Sequence, residues 1–93
     1  MTNFKLGQLV MTRGVNDLVA ENTAFADFII TSLARHMRGD WGDLSKEDRT
    51  ENELSIKSGF RILSSYKSGE LPRVWIITES DRSSTTILFP EDY

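Results

Sequence analysis

A chain of 93 residues with 39% hydrophobic and 27% charged side chains is long enough for one small core and too short for two. It contains no cysteine, which excludes disulfide frameworks, thiolate metal sites and cysteine nucleophiles and makes a reducing cytoplasm the expected compartment. Fourteen acids against eleven bases leave a net charge of −3, which argues against a broad cationic face for nucleic acid, and no run approaches the ~20 apolar residues of a membrane span.

Between residues 4 and 12, Phe4, Leu6, Gln8, Val10 and Thr12 alternate with Lys5, Gly7, Leu9 and Met11, and this period of two predicts a first strand. Arg13-Gly14 ends it, and residues 15–21 are expected to form a short helical turn with Asn16 as a cap. Thr23 is the expected N-cap of the strongest helix, 24–37, where Phe25, Phe28, Ile29, Ser32, Leu33 and His36 recur at three-and-four spacing. Asp27 near its start and Arg35, His36 and Arg38 near its end suit the helix dipole, and Gly39 supplies its stop. Ser45 with Asp48 three residues on resembles a capping box and opens a second long helix at about 46–57, which Gly59 ends. Leu54 and Ile56 are the only aliphatic residues of that helix, so it is expected on the outside.

From residue 60 onward the pattern changes to period two with many β-branched side chains. Residues 60–67, 73–79 and 84–90 read as three strands of a meander, joined by Ser68-Gly69-Glu70-Leu71-Pro72 and Ser80-Asp81-Arg82-Ser83. In the middle strand Val74, Ile76 and Thr78 face one way and Trp75, Ile77 and Glu79 the other, as for a strand covered partly on both sides. The predicted fold is a single α+β domain over 1–93, in two layers, with an antiparallel sheet of about four strands and two to three helices. Residues 4–12 and 84–90 are expected at the sheet edges.

Charge is unevenly spread: residues 40–53 hold six acids (Asp40, Asp43, Glu47, Asp48, Glu51, Glu53) against Lys46 and Arg49. Several strings are also familiar. Gly39-Asp40-Trp41-Gly42-Asp43-Leu44, Glu51-Asn52-Glu53-Leu54, Arg61-Ile62-Leu63-Ser64-Ser65-Tyr66, Val74-Trp75-Ile76-Ile77-Thr78-Glu79 and Asp81-Arg82-Ser83-Ser84-Thr85-Thr86-Ile87-Leu88 resemble a family of small bacterial proteins carried on plasmids and integrative elements, often labelled plasmid-related or associated with type I restriction. The resemblance covers roughly residues 4–93. It implies the company of mobile elements and of the systems that fight them, and with that company the role of an inhibitor of host defence, against CRISPR or restriction. A restriction methyltransferase subunit is excluded, because the chain has no glycine-rich methyl-donor loop after a strand and too few residues for that fold.

Four clusters are candidates for chemistry or contact. His36 with Asp40 and Asp43 can serve as an acid–base or metal-binding group, or the histidine can be a helix-end cation and the acids turn caps. Trp41 between Gly39 and Gly42 is either an exposed anchor for a partner or a lid folded back onto the core. Arg82 among hydroxyls on a hairpin can hold a phosphate, or it can pair with an acid such as Glu79 while Asp81 bonds its own backbone. The acidic run can imitate nucleic-acid phosphates or be a solvated helix face.

The preferred expectation is a non-enzymatic protein-binding module whose contact residues are Asp40, Trp41, Asp43, Glu47, Asp48 and Glu51. It has no catalytic residues, no metal ligands and no cofactor, and its partner is a host protein such as a nucleic-acid-binding defence protein. Two alternatives stand beside it. One is a small nuclease or hydrolase using His36, Asp40 and Arg82. The other is a nucleic-acid-binding regulator, which the net charge opposes.

Overall fold

The computed structural model describes residues 4–93. Strand β1 (Gln8–Met11) leads into helices α1 (Arg13–Glu21) and α2 (Thr23–Met37), and a turn connects these to α3 (Lys46–Ser58). Strands β2 (Ile62–Tyr66), β3 (Val74–Thr78) and β4 (Ser84–Leu88) follow, before a closing 3-10 turn over Pro90–Asp92. The domain is α+β, with α1 and α2 on one face of a four-stranded sheet in the order β1-β4-β3-β2.

The sheet is mixed rather than antiparallel: β2–β3 and β3–β4 run antiparallel, but β1 lies parallel to β4. Short hairpins impose the antiparallel pairs, whereas β1 reaches β4 only through the rest of the chain and carries no such constraint. Running parallel to β4 delivers Thr12 to the end of the sheet where Phe89 closes the core, and Gly14 in the first turn of α1 lies against the Phe89 ring. Strand β4 is therefore interior, and the expected edge at 84–90 does not exist. The edges are β1 and β2.

Helices α1 and α2 bury Val15, Phe25 and Ile29 against Tyr66, Val74, Ile76 and Ile87 of the sheet, with Met11, Leu18, Val19, Phe28, Leu33, Leu71 and Phe89 packed around them. The side chains of β3 divide as the alternation predicts: Val74, Ile76 and Thr78 face the helices, and Trp75 and Ile77 face the other side. The buried stripe of α2 runs Phe25, Ile29, Ser32, His36, so it changes from apolar to polar along its length. The sheet changes with it, from Ile76 and Ile87 to Ser64, Thr78 and Thr85, all three fully buried.

Several boundaries differ from the sequence expectation. Strand β1 begins at Gln8 rather than Phe4, because the Leu6 carbonyl is taken by the Thr85 hydroxyl at 2.7 Å and the Phe4 ring packs against His36. Helix α1 is a full nine-residue helix from Arg13 rather than a turn from Val15, and Thr12, not Asn16, precedes its first turn. Asn22 caps α2 in place of Thr23, its side-chain oxygen accepting from Phe25 N–H at 3.0 Å.

Helix α3 lies along the β2 edge and closes it. Leu63 directs its backbone groups outward from the sheet, and the Asn52 side chain meets both, donating to Leu63 O at 2.6 Å and accepting from Leu63 N–H at 3.2 Å. Ser65, the next outward-facing residue, donates its N–H to Trp41 O at 3.2 Å and accepts from Asp43 N–H at 2.8 Å. An amide side chain and a turn thus replace the missing neighbour strand. Asn52→Ala leaves both Leu63 groups without a partner and is expected to cost about 2 kcal/mol, measured as a shift in the urea unfolding midpoint.

Candidate functional site

The 35–53 region begins where α2 stops. Asp40 N–H bonds Arg35 O at 2.9 Å and Gly39 N–H bonds His36 O at 3.2 Å, the paired reverse bonds of a Schellman end. The Asp40 carboxylate then folds back onto Arg35, with contacts of 2.7 Å to Nε and 3.1 Å to the second guanidinium nitrogen, and it also accepts from Gly42 N–H. The Arg35 hydrogen bond holds the Asp40 carboxyl below the usual carboxylate range. The Tyr66 hydroxyl donates to Asp40 O at 2.7 Å, and burial pushes its pKa up to about 12. Asp43 pairs with Arg73 at 3.1 Å. Two of the six expected contact acids and aromatics, Asp40 and Asp43, thus carry charges already opposed by arginines.

Trp41 is 4% exposed and belongs to the core. Its ring lies 6.1 Å from Phe4 in a stacked arrangement and 5.8 Å from His36 edge-on, and its indole N–H donates to Glu53 at 2.9 Å. It is a lid, and it leaves the set of expected surface contacts. A small domain with few large side chains gains more from burying an indole than from displaying it.

His36 is fully buried in a chain of neutral hydrogen bonds. Leu6 O can only accept, so the Thr85 hydroxyl spends its single proton there. The 2.8 Å contact between Thr85 and Thr78 must then use the Thr78 proton, so Thr78 accepts from His36 Nε2–H at 2.9 Å. His36 Nδ1 is left as an acceptor and receives the Ser64 hydroxyl at 2.6 Å. One tautomer satisfies every member, and burial away from any carboxylate pushes the His36 pKa down to about 4. The histidine is neutral at neutral pH.

Arg82 is a clasp. Its backbone adopts φ +60, and its guanidinium donates to Phe60 O at 2.7 Å, Glu79 O at 3.0 Å and Ser55 O at 2.9 Å, tying the end of α3 to the β3–β4 hairpin. It meets the carbonyl of Glu79 rather than the carboxylate, while Asp81 accepts from Ser83 N–H at 2.9 Å in the expected local turn. His36, Asp40 and Arg82 are each committed to different structural partners and do not converge on a shared space. Among the described residues no three His, Asp or Glu side chains are grouped as metal ligands.

What holds α3 was not legible as a signal of packing. Arg49 donates to Gly42 O at 2.9 Å and Leu44 O at 3.3 Å, Asn52 to Leu63 O, Glu53 accepts from Trp41, and Ser55 O accepts from Arg82. Arg49, Asn52, Glu53 and Ile56 fall at i, i+3, i+4 and i+7, the spacing of an inward stripe, but only Asn52 is buried, with Ser55 beside it, and Arg49 and Glu53 reach in from exposed positions. The helix is docked by hydrogen bonds, side chain to backbone in all but the Trp41–Glu53 pair, instead of by an apolar face. Its N-terminus is capped as expected, Ser45 Oγ accepting from Asp48 N–H at 3.1 Å.

The opposite stripe, Glu47, Thr50, Glu51 and Leu54, is solvent-facing, with Leu54 53% exposed. A shallow hollow of about 440 Å³ lies beside Lys46, Glu47, Thr50 and Glu51. Among the described residues Glu47, Asp48 and Glu51 enter no ion pair. Of the expected contact set these three are the acids left unopposed. No helix among the described residues is long and apolar enough to cross a membrane. No protein-family model, no curated protein and no solved structure matches the chain.

Proposed function

We propose that this chain is a non-enzymatic protein-binding module that docks through the outer face of α3, with Glu47, Asp48 and Glu51 as its charged contacts and the Asp40 and Asp43 turn as its border. One observation carries the reading: α3 is fastened through Arg49, Asn52, Glu53 and Ser55, and among the described residues the carboxylates of Glu47, Asp48 and Glu51 enter no hydrogen bond or ion pair that holds the fold. Unopposed carboxylates on a rigid helix favour a cationic partner surface and speed its encounter. The resemblance of the sequence strings to small plasmid-borne proteins supplies the setting, an inhibitor of a host defence system whose basic nucleic-acid channel provides the complementary charge.

The test is capture of partners from host lysate at low and high salt by the wild-type chain and by a variant carrying Glu47→Gln, Asp48→Asn and Glu51→Gln together. The expected result is a partner retained at low salt, released at high salt as screening grows, and bound about tenfold more weakly by the neutralised variant. A partner that binds the variant as well as the wild type, or no partner at either salt, overturns the proposal.

A further inference from the structure

The two edges of the sheet are treated differently. Asn52 and the Trp41-Gly42-Asp43 turn occupy the outer groups of β2, while nothing in the described chain occupies those of β1. Gln8 and Thr12 donate their N–H groups to Ser83 O and Ile87 O, at 2.9 Å and 3.0 Å. Strand alternation turns Val10 the same way and leaves the N–H and C=O of Leu9 and Met11 pointing outward. The side chains are also unprotected: Leu9 is 48% exposed and Val10 39% exposed, on opposite faces of the strand, and Gln8–Met11 carries neither a charge nor a proline. Free edges normally carry such blocking residues.

We propose that β1 is a dimerisation edge, at which two copies of this chain pair Gln8–Met11 antiparallel about a twofold axis through Val10 and join their sheets. The strand is complementary to itself in this register. Leu9 faces Met11 of the partner subunit, each such pair exchanges both backbone hydrogen bonds, and Val10 meets its own copy across the axis on one face. Charge placement favours a second copy as the occupant. All six acids of 40–53 belong to the turn and helix that flank β2, at the far end of the strand order from β1, so the densest acidic run of each chain lies away from the contact and Gln8–Met11 itself brings no charge to it. Because the β2 edge is already covered, a β1-to-β2 contact that would propagate into a filament is blocked, and assembly closes at two. A four-residue edge buries less than the ~1,200 Å² of a standard stable interface, so the dimer is weak and concentration-dependent. The proposal does not depend on the function of α3.

The test is sedimentation of the full chain over a concentration series, paired with residue-resolved amide exchange. The expected mass rises from 10.6 kDa toward twice that value. Exchange at Leu9 and Met11 slows about tenfold with concentration while that at Gln8 and Val10 is unchanged. Val10→Lys places like charges on the axis and Leu9→Lys adds a cation to the edge; both side chains are exposed, and each variant is expected to keep its circular dichroism and stay monomeric. A wild-type chain that is monomeric throughout, an assembly larger than two, or a dimer in which Leu9 and Met11 amides exchange as freely as in the monomer overturns the proposal.

Discussion

Gly42→Ala is expected to destabilise the protein by about 3 kcal/mol, the sum of a left-handed backbone penalty and an overpacking term. Gly42 sits at φ +72, and a Cβ there would intrude on Ser65 O and come within 2.7 Å and 2.9 Å of the Tyr66 ring. To relieve that contact the turn must lift from β2, losing the bonds between Ser65 and the backbone of Trp41 and Asp43 and disturbing the Gly42 carbonyl that anchors Arg49. Gly59 provides the control. It has a similar φ of +77 but nothing within 4 Å of the added atom, so Gly59→Ala should show the backbone penalty alone, about 1 kcal/mol. Urea unfolding of both variants against wild type gives the comparison. Equal losses would mean that the close approach of the turn to β2 is not what requires glycine at position 42.

Acidification from pH 6.5 to pH 4 is expected to remove roughly 3 kcal/mol of stability through His36 alone. The folded pKa, about 4, lies below the ordinary value of 6.5 because the imidazolium would be desolvated. In this window the unfolded chain binds the proton and the folded chain does not, so the stability is present in full above pH 6.5 and falls as pH drops toward 4. The hydroxyls of Ser64 and Thr78 and the rings of Phe4 and Trp41 surround the imidazole, and none of them titrates in that range. Asp40, whose pKa is lowered by Arg35, contributes a second loss only below its ordinary value of 3.8. Urea unfolding at intervals between pH 7 and pH 4 checks the slope, and His36→Gln should flatten it. A wild-type profile that is level down to pH 4 would show that the buried chain accepts a proton without strain, through a reversed Ser64 hydroxyl.

These two sites explain how a chain with a modest apolar share specifies one structure. Half of the α2–sheet interface is apolar and tolerant of small shifts, and the other half is a directional series of hydrogen bonds from Leu6 O to Ser64 that one register of the strands satisfies. Among the described residues no buried side-chain nitrogen or oxygen lacks a partner.

Much of the fold was legible in the residues. The three-and-four spacing in α2, the Ser45 cap and Gly59 stop of α3, and the period-two runs of β2 to β4 each encode a local backbone geometry, so the elements and the α+β class follow from short stretches of chain. The acidity of α3 and its outside position were equally plain, because exposure of a polar helix needs no knowledge of its neighbours. Only the tertiary structure decided that β1 runs parallel to β4, that Trp41 is a buried lid, that His36 is one member of a hydroxyl chain, and that Asp40 and Asp43 are already paired with Arg35 and Arg73. Periodicity reports which face of an element is apolar, but it carries no mark of which distant group a polar side chain will meet. Arg49, Asn52 and Arg82 dock one helix through contacts with backbone groups, and backbone groups are the same at every position in a sequence.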